Sequence, residues 1–272
     1  GELASNAVEV VSTGPNTSNQ LASTAAGPTH KIAVIMLNFS NNTAQPFTTQ
    51  YAREKVFIGT PTNTRSTKSF FEEASFGQQI LGGHLNAEQG DVFGWYTLPY
   101  PNTNCNLMYN TWTTAAQTAA TANGYNANNY AKTLFVFSSA TVCPGVAWAQ
   151  IGGPHLWAIS HNFNATINAI GHELGHTFGL KHANALYCYD QSGARIAIGT
   201  NCTSAEYQDS YDTMGRGSGH FNAPHKNQLG WLDSSVQTIT TAGTYTIYPI
   251  EYVSGDPRAI RIARGCEHLY VE

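Results

Sequence analysis

Residues 172–182 read HELGHTFGLKH, and no other stretch of the chain decides as much about it. His172 and His176 are four residues apart, so on a helix both imidazoles project from one face. A tetrahedral zinc ion asks that geometry of two of its ligands. Glu173, beside them, can reach a water at the ion without itself being a ligand. Gly179 lets the backbone turn sharply, because glycine adopts positive φ at little cost. The turn returns His182 to the same ion as a third ligand. Three protein ligands leave a fourth position for water, which marks a catalytic zinc site rather than a structural one. On the other side of this helix, Ile167, Ile170, Leu174 and Phe178 recur at helical spacing, so one face can be buried while the opposite face presents the ligands. Asn164 is placed to cap the helix start, and Gly179 stops it near Phe178.

Upstream of this helix the pattern is that of an α/β (α+β) domain with a twisted, mostly parallel sheet. Lys31 to Asn38 (KIAVIMLN) and Thr133 to Ser138 read as buried strands, being continuous apolar runs too short for helices. Gln79 to Leu85 and Val92 to Leu98 read as two further strands, expected to neighbour one another. Thr64 to Ser75 and Thr111 to Asn123 read as helices, the second ended by Gly124. Val146 to Ile159 holds two strand-like pieces broken at Gly152-Gly153-Pro154. Downstream, Cys188 to Ser218 is glycine-rich and irregular, Ala223 to Leu229 fits a short helix, and from Val236 onward alternation (TITTAGTYTIYPI, AIRIA, HLYVE) predicts β-hairpins. The expected domains are an N-terminal arm or propeptide remnant (1–28), a catalytic domain (29–234) whose upper part ends near 180, and a β-rich segment (235–272) that begins a β-sandwich. Cys266 and the small number of strands lead to the expectation that the natural protein continues past Glu272.

About thirty residues beyond His182 stands Tyr211-Asp212-Thr213-Met214-Gly215, which holds the one methionine downstream of the histidines. HExxHxxGxxH followed by such a Met-turn is the metzincin signature. With HFNAPHKNQLGWL (His220 to Leu232) and KIAVIMLNFS near the start, the chain resembles the gametolysin-type (M11) peptidases, a secreted metzincin family, over roughly Lys31 to Glu272. The resemblance implies a zinc metalloendopeptidase with a cleft, a hydrophobic base formed by Met214 under the histidines, and extracellular or cell-wall proteins as substrates. Glu173 would then take the proton of a water that zinc makes acidic, and deliver it to the leaving amine. The extended pieces flanking Gly152 and Gly153 are candidates for the cleft's upper edge, where substrate adds as a strand. Astacin- and serralysin-like enzymes carry a tyrosine two residues after the methionine. Arg216 occupies that position here, leaving Arg216, His220 or another group to stabilise the oxyanion.

The remaining composition sets boundaries. Only 11% of residues are charged and the net charge is −4, which points to no nucleic-acid partner. No apolar run is long enough to span a bilayer. Of five cysteines, Cys188 and Cys202 bracket a short loop and Cys105 with Cys143 is the next pair, as suits a secreted chain. Cys266 is left either as a buried thiol or for a partner beyond the sequence. Asp190, Glu206, Asp209 and Asp212 are candidate calcium ligands, but they lack the order of a calcium loop and fit a solvated loop better. His30, His84, His155, His161, His225 and His268 show no ligand spacing. The GRGSG run at 215–219 lacks the strand-before, helix-after context of a dinucleotide site. A monomer acting on a protein or peptide is expected. The competing readings are a catalytically inactive, zinc-stabilised binding or adhesion module and a zinc hydrolase of non-peptide bonds. Intact Glu173 argues against the first, because a module of that kind needs no general base.

Overall fold

A computed structural model of the 272-residue chain describes residues 9–12, 27–138, 143, 145–159, 167–199, 201–253, 256–265 and 267–272. The capping residue expected at Asn164 and the fifth cysteine, Cys266, lie outside the described residues. The chain divides into two compact units, one of Ala26–Glu72 with Gln79–Ala183, the other of Gly1–Ala25, Glu73–Gln78 and Asn184–Glu272. Strand β1 (Glu9–Ser12) belongs to the second of these and is taken up with it.

The first unit is built on β2 (Thr29–Phe39), whose residues from Ile32 to Phe39 are all buried. Burial on successive residues means that both faces of the strand are covered, as in the middle of a parallel sheet. Five more strands complete the sheet: β3 (Ile80–Gly82), β4 (Asp91–Leu98), β5 (Lys132–Phe137), β6 (Ala147–Ala149) and β7 (His155–Ile159). Their order is β3-β2-β5-β7-β6, with β4 also on β2. All run parallel except β6, which lies antiparallel to β7 at the edge. The sheet is therefore mixed, with a parallel majority. β3 and β4 do not pair with one another as expected. Each pairs with β2, β3 over Thr29–Lys31 and β4 from Ala33 onward. Alternation identifies a strand and its buried face but carries no information about its partner.

The two faces follow from the period of two. Ala33, Ile35, Leu37, Phe39, Phe135, Phe137 and Trp157 form one core with Trp112, Ala116 and Ala120, so the helix Thr113–Thr121 covers that side. Val34, Met36, Leu134, Val136 and Leu156 are buried on the other. The helix Ile167–Thr177 packs on β6 and β7, burying Ile170 and Leu174. Its Gly171 closes on the ring of Phe70, from the helix Thr67–Ala74. A further helix, Thr49–Arg53, gave no signal in the sequence reading. It is capped by Thr48 Oγ1, which accepts from Tyr51 N–H at 3.0 Å, and runs on into a wider turn, Glu54–Ile58. Asp91 fixes the loop between β3 and β4, its carboxylate accepting from His84, Leu85 and Asn86 N–H and from the Tyr130 hydroxyl.

In the second unit, β8 (Ala185–Cys188) and β9 (Cys202–Ala205) form a short antiparallel ladder inside the stretch expected to be irregular. The disulfide Cys188–Cys202 joins the last residue of one strand to the first of the other. Asn222 caps the helix Ala223–Gln228, accepting from His225 N–H at 3.1 Å. The alternating C-terminal segment gives β10 (Val236–Ile239), β11 (Thr244–Ile247), β12 (Ala259–Arg264) and β13 (Glu267–Val271). β12 and β13 make the expected hairpin, but β10 and β11 do not pair together. β10 lies parallel to β12, and β11 lies parallel to β1, so residues of the N-terminal arm complete a β-pair more than two hundred positions away. The core of this unit gathers Phe76, Ala223, Leu232, Ile250 and Ala259. The ring of Phe76 is flanked by two cations, Lys226 Nζ at 4.5 Å and the Arg258 guanidinium at 4.3 Å. Lys226 is fully buried and donates to Ile250 O at 3.1 Å, and burial pulls its ammonium down to about 8.

Candidate metal centre

The helix Ile167–Thr177 holds His172 and His176 one turn apart, their ring centroids 4.8 Å from each other. Gly179 then takes φ +97°, a conformation that costs a side chain dearly. Its N–H bonds to His176 O at 2.8 Å and Leu180 N–H bonds to Gly175 O at 3.1 Å, closing the helix in the manner of a glycine cap. The reversed chain brings the His182 ring to 4.8 Å from His176 and 5.4 Å from His172. One nitrogen from each ring lies within 4.8 Å of the others. His176 Nε2 and His182 Nε2 are 3.1 Å apart, close to the ~3.3 Å between two ligand nitrogens about a tetrahedral zinc with bonds of about 2.0–2.1 Å.

His176 is held in one tautomer. Its Nδ1 lies 2.8 Å from Leu180 O, and a carbonyl can only accept, so Nδ1 carries the proton and Nε2 keeps its lone pair. An imidazole fixed in this way by a second partner is the usual companion of metal ligation. The donor set therefore fits a borderline-soft divalent ion with an open position, as zinc prefers. Among the described residues these three form the only group of three or more His, Cys, Asp or Glu side chains that could hold one ion.

Glu173 is 8% exposed, and burial pushes its carboxyl up to about 8. A divalent cation nearby acts in the opposite sense. Gly152 and Gly153 lie in the turn joining β6 to β7. Gly152 N–H donates to His176 O at 2.8 Å and Gly153 N–H to Gln150 O at 3.0 Å. Among the described residues, the free edge is β6 itself. Gln150 N–H bonds to His155 O and Ile159 N–H to Val146 O, so by antiparallel alternation Trp148 faces β7, while Ala147 and Ala149 turn their N–H and C=O groups outward.

In the second unit, Met214 is fully buried in its turn. The turn is organised by Asp212, which accepts from Met214 N–H, from Asn222 N–H at 2.6 Å and from His225 Nδ1 at 2.8 Å. Asp209 supports it through Tyr211 N–H and Asp212 N–H. Two residues read as loop acid and unremarkable histidine thus anchor the methionine, and their shared spacing across YDTMG and HFNAPH was the only trace in the sequence. Asp212→Ala strands three donors. At about 1–3 kcal/mol for each buried group left unpaired, unfolding stability is expected to fall by about 3 kcal/mol or more, and Asp212→Asn, which keeps an acceptor, to lose less. Urea unfolding of the two variants measures this, and an unchanged midpoint for Asp212→Ala contradicts it.

Arg216 is exposed, and its guanidinium donates to Gln208 Oε1 at 2.8 Å. His220 Nε2 lies 3.4 Å from Glu73 Oε1, and desolvation, with Lys226 nearby, lowers its pKa. Of the acids considered for calcium, Asp190, Asp209 and Asp212 are spent on local bonds. Asp190 accepts from Ser192 N–H, Ser192 Oγ and Ala194 N–H, and no calcium cage forms among the described residues. Both expected disulfides are present, Cys105–Cys143 and Cys188–Cys202. No described helix is long and apolar enough to cross a membrane.

The family model for gametolysin peptidase M11 matches residues 31–269. No curated protein matches the chain closely enough to name a relative. Among solved structures, one described as "Structure of a chaperone-substrate complex" is similar at 12% identity and a TM-score of 0.40, over 74% of this chain and 33% of its own. The chain thus spans about a third of that structure's length.

Proposed function

This chain belongs to the gametolysin peptidase M11 family, and from that premise we propose that it is a secreted zinc metalloendopeptidase of the metzincin type. The observation that carries the proposal is the convergence of His172, His176 and His182 around one point, with the His176 tautomer fixed by Leu180 O and Glu173 buried on the same helix. His172, His176 and His182 would hold one zinc ion. Zinc supplies Lewis acidity, which polarises a carbonyl and makes water a better nucleophile. Glu173 accepts the proton of the attacking water at its carboxylate and passes it to the departing amine. Its burial keeps bulk water from competing for that proton.

The outward N–H and C=O groups of Ala147 and Ala149 give an extended substrate main-chain partners, as strand addition requires. Met214 serves as an apolar support in its turn, and residues 29–234 form the catalytic domain, with 235–272 a β-rich segment. Two disulfides and the low charge support an extracellular setting, and extracellular or cell-wall proteins are the substrate class. The chain works as a monomer on them.

The test is cleavage of an unfolded protein substrate by the purified chain, before and after a chelator, with zinc content measured by elemental analysis. Activity is expected to track one zinc per chain, to vanish on chelation and to return with added zinc. A chain that loses stability on chelation yet never cleaves any peptide bond is a zinc-stabilised module, and the proposal fails.

A further inference from the structure

Lys132 opens β5 as a lone charge ahead of the apolar run Thr133 to Phe137. Its ammonium reaches two main-chain oxygens that belong to different elements. Nζ lies 2.7 Å from Thr177 O, at the end of the histidine helix, and 3.0 Å from Gly153 O, in the turn between β6 and β7. It also stands over the Phe178 ring, 5.0 Å from its centre. The last carbonyls of a helix have no partner within it and carry the negative end of its dipole. Here Thr177 O is satisfied from outside the helix by Lys132, and His176 O, already bonded to Gly179 N–H, takes a second bond from Gly152 N–H at 2.8 Å. A lysine that only capped the helix would need Thr177 O alone. The second bond, to Gly153 O, ties the cap to the edge hairpin. The clamp closes around the backbone of His176, the most enclosed of the three histidines.

Resting on the function proposed above, we propose that Lys132 is a positioning residue that locks the metal-ligand helix to the β6–β7 hairpin, so that metal affinity and presentation of the substrate edge are set together. Desolvation pulls the Lys132 ammonium below its usual range, which agrees with an enclosed charge. Its five-atom reach is part of the fit, because the same Nζ must touch both oxygens. The two glycines singled out in the sequence acquire a role by the same geometry. Gly152 has φ +68° and aims its N–H at the helix end, while Gly153 supplies the carbonyl that the lysine holds.

The experiment compares wild type, Lys132→Met and Lys132→Arg. Met keeps the length and apolar stem and removes every donor, while Arg keeps a cation able to reach two oxygens. Zinc affinity is measured by competition with a chromophoric chelator, and amide hydrogen exchange is followed over residues 150–153. Lys132→Met is expected to weaken zinc binding by about 10-fold, the low end for loss of an outer-shell support, and to speed exchange of the hairpin amides while those of β2 and β5 stay protected. Lys132→Arg is expected to restore part of both. Because coupling is reciprocal, zinc loading of the wild-type chain must slow exchange at Gly152, a measurement that needs no variant and decides the matter if Lys132→Met fails to fold. Wild-type zinc affinity and hairpin exchange in a folded Lys132→Met chain, or no slowing at Gly152 on zinc loading, overturns the coupling. Failure of the wild-type chain to bind zinc at all would instead remove the proposed function.

Discussion

Glu173→Gln is expected to keep its zinc at one ion per chain and to lose about 10²–10⁴-fold in turnover. The two halves of that result separate chemistry from structure. Glu173 stands outside the set of three nitrogens that converge, so an uncharged amide leaves the ligands complete. Glutamine has nearly the same shape, and the site is buried, so packing around the helix changes little. What disappears is the ability to take a proton from water, because an amide is not a base at neutral pH. Steady-state kinetics beside elemental analysis checks both halves. Wild-type turnover would show that the proton goes elsewhere, whereas loss of zinc along with turnover would show that Glu173 supports the ion.

His176→Ala is expected to lose the ion and the activity together. His176 is the most enclosed of the three rings, at 6% exposed, and its Nδ1 is fixed to the carbonyl of Leu180. Removing it deletes one ligand in three and strands Leu180 O, a buried acceptor worth about 1–3 kcal/mol of folding stability when left unpaired. The variant therefore purifies without zinc, shows only background cleavage, and unfolds earlier than the metal-free wild type. Lys181→Ala, at an exposed neighbour of His182, serves as the control and retains metal and activity. Zinc bound at wild-type affinity by His176→Ala would show that the ion is held by other residues.

The convergence of the three histidines was legible because its signal is local: histidines four apart on a helix, a glycine to reverse the chain, and a third histidine three residues on. The buried strands Lys31 to Asn38 and Thr133 to Ser138 were legible for the same reason, since an unbroken apolar run of that length has few other uses. Partners were harder to read. The pattern in Thr238 to Ile250 shows alternation but cannot say that β11 pairs with β1 rather than β10. Supporting contacts left almost no trace. Asp212 and Lys132 look like ordinary charged residues in the sequence, and only the fold reveals that each collects bonds from separate segments. The helix Thr49–Arg53 is too short and polar to show a period.

The placement of β2 has a consequence for how the protein is made. It is an inner strand of its sheet and yet precedes every strand it pairs with, with Ala33 seated against Asp91 and Ile32 against Lys132. At roughly 5–20 residues per second of synthesis, a bare apolar strand waits on the order of 5–20 s for the segment that will cover its second edge. Parallel pairing over such a span is slow even after the chain is complete, because loop closure precedes any gain from contact. In that interval the newborn chain is most exposed to pairing with its neighbours on other ribosomes. Protection of residues 29–39 during that interval therefore bears on folding in a way that the final stability of the sheet does not.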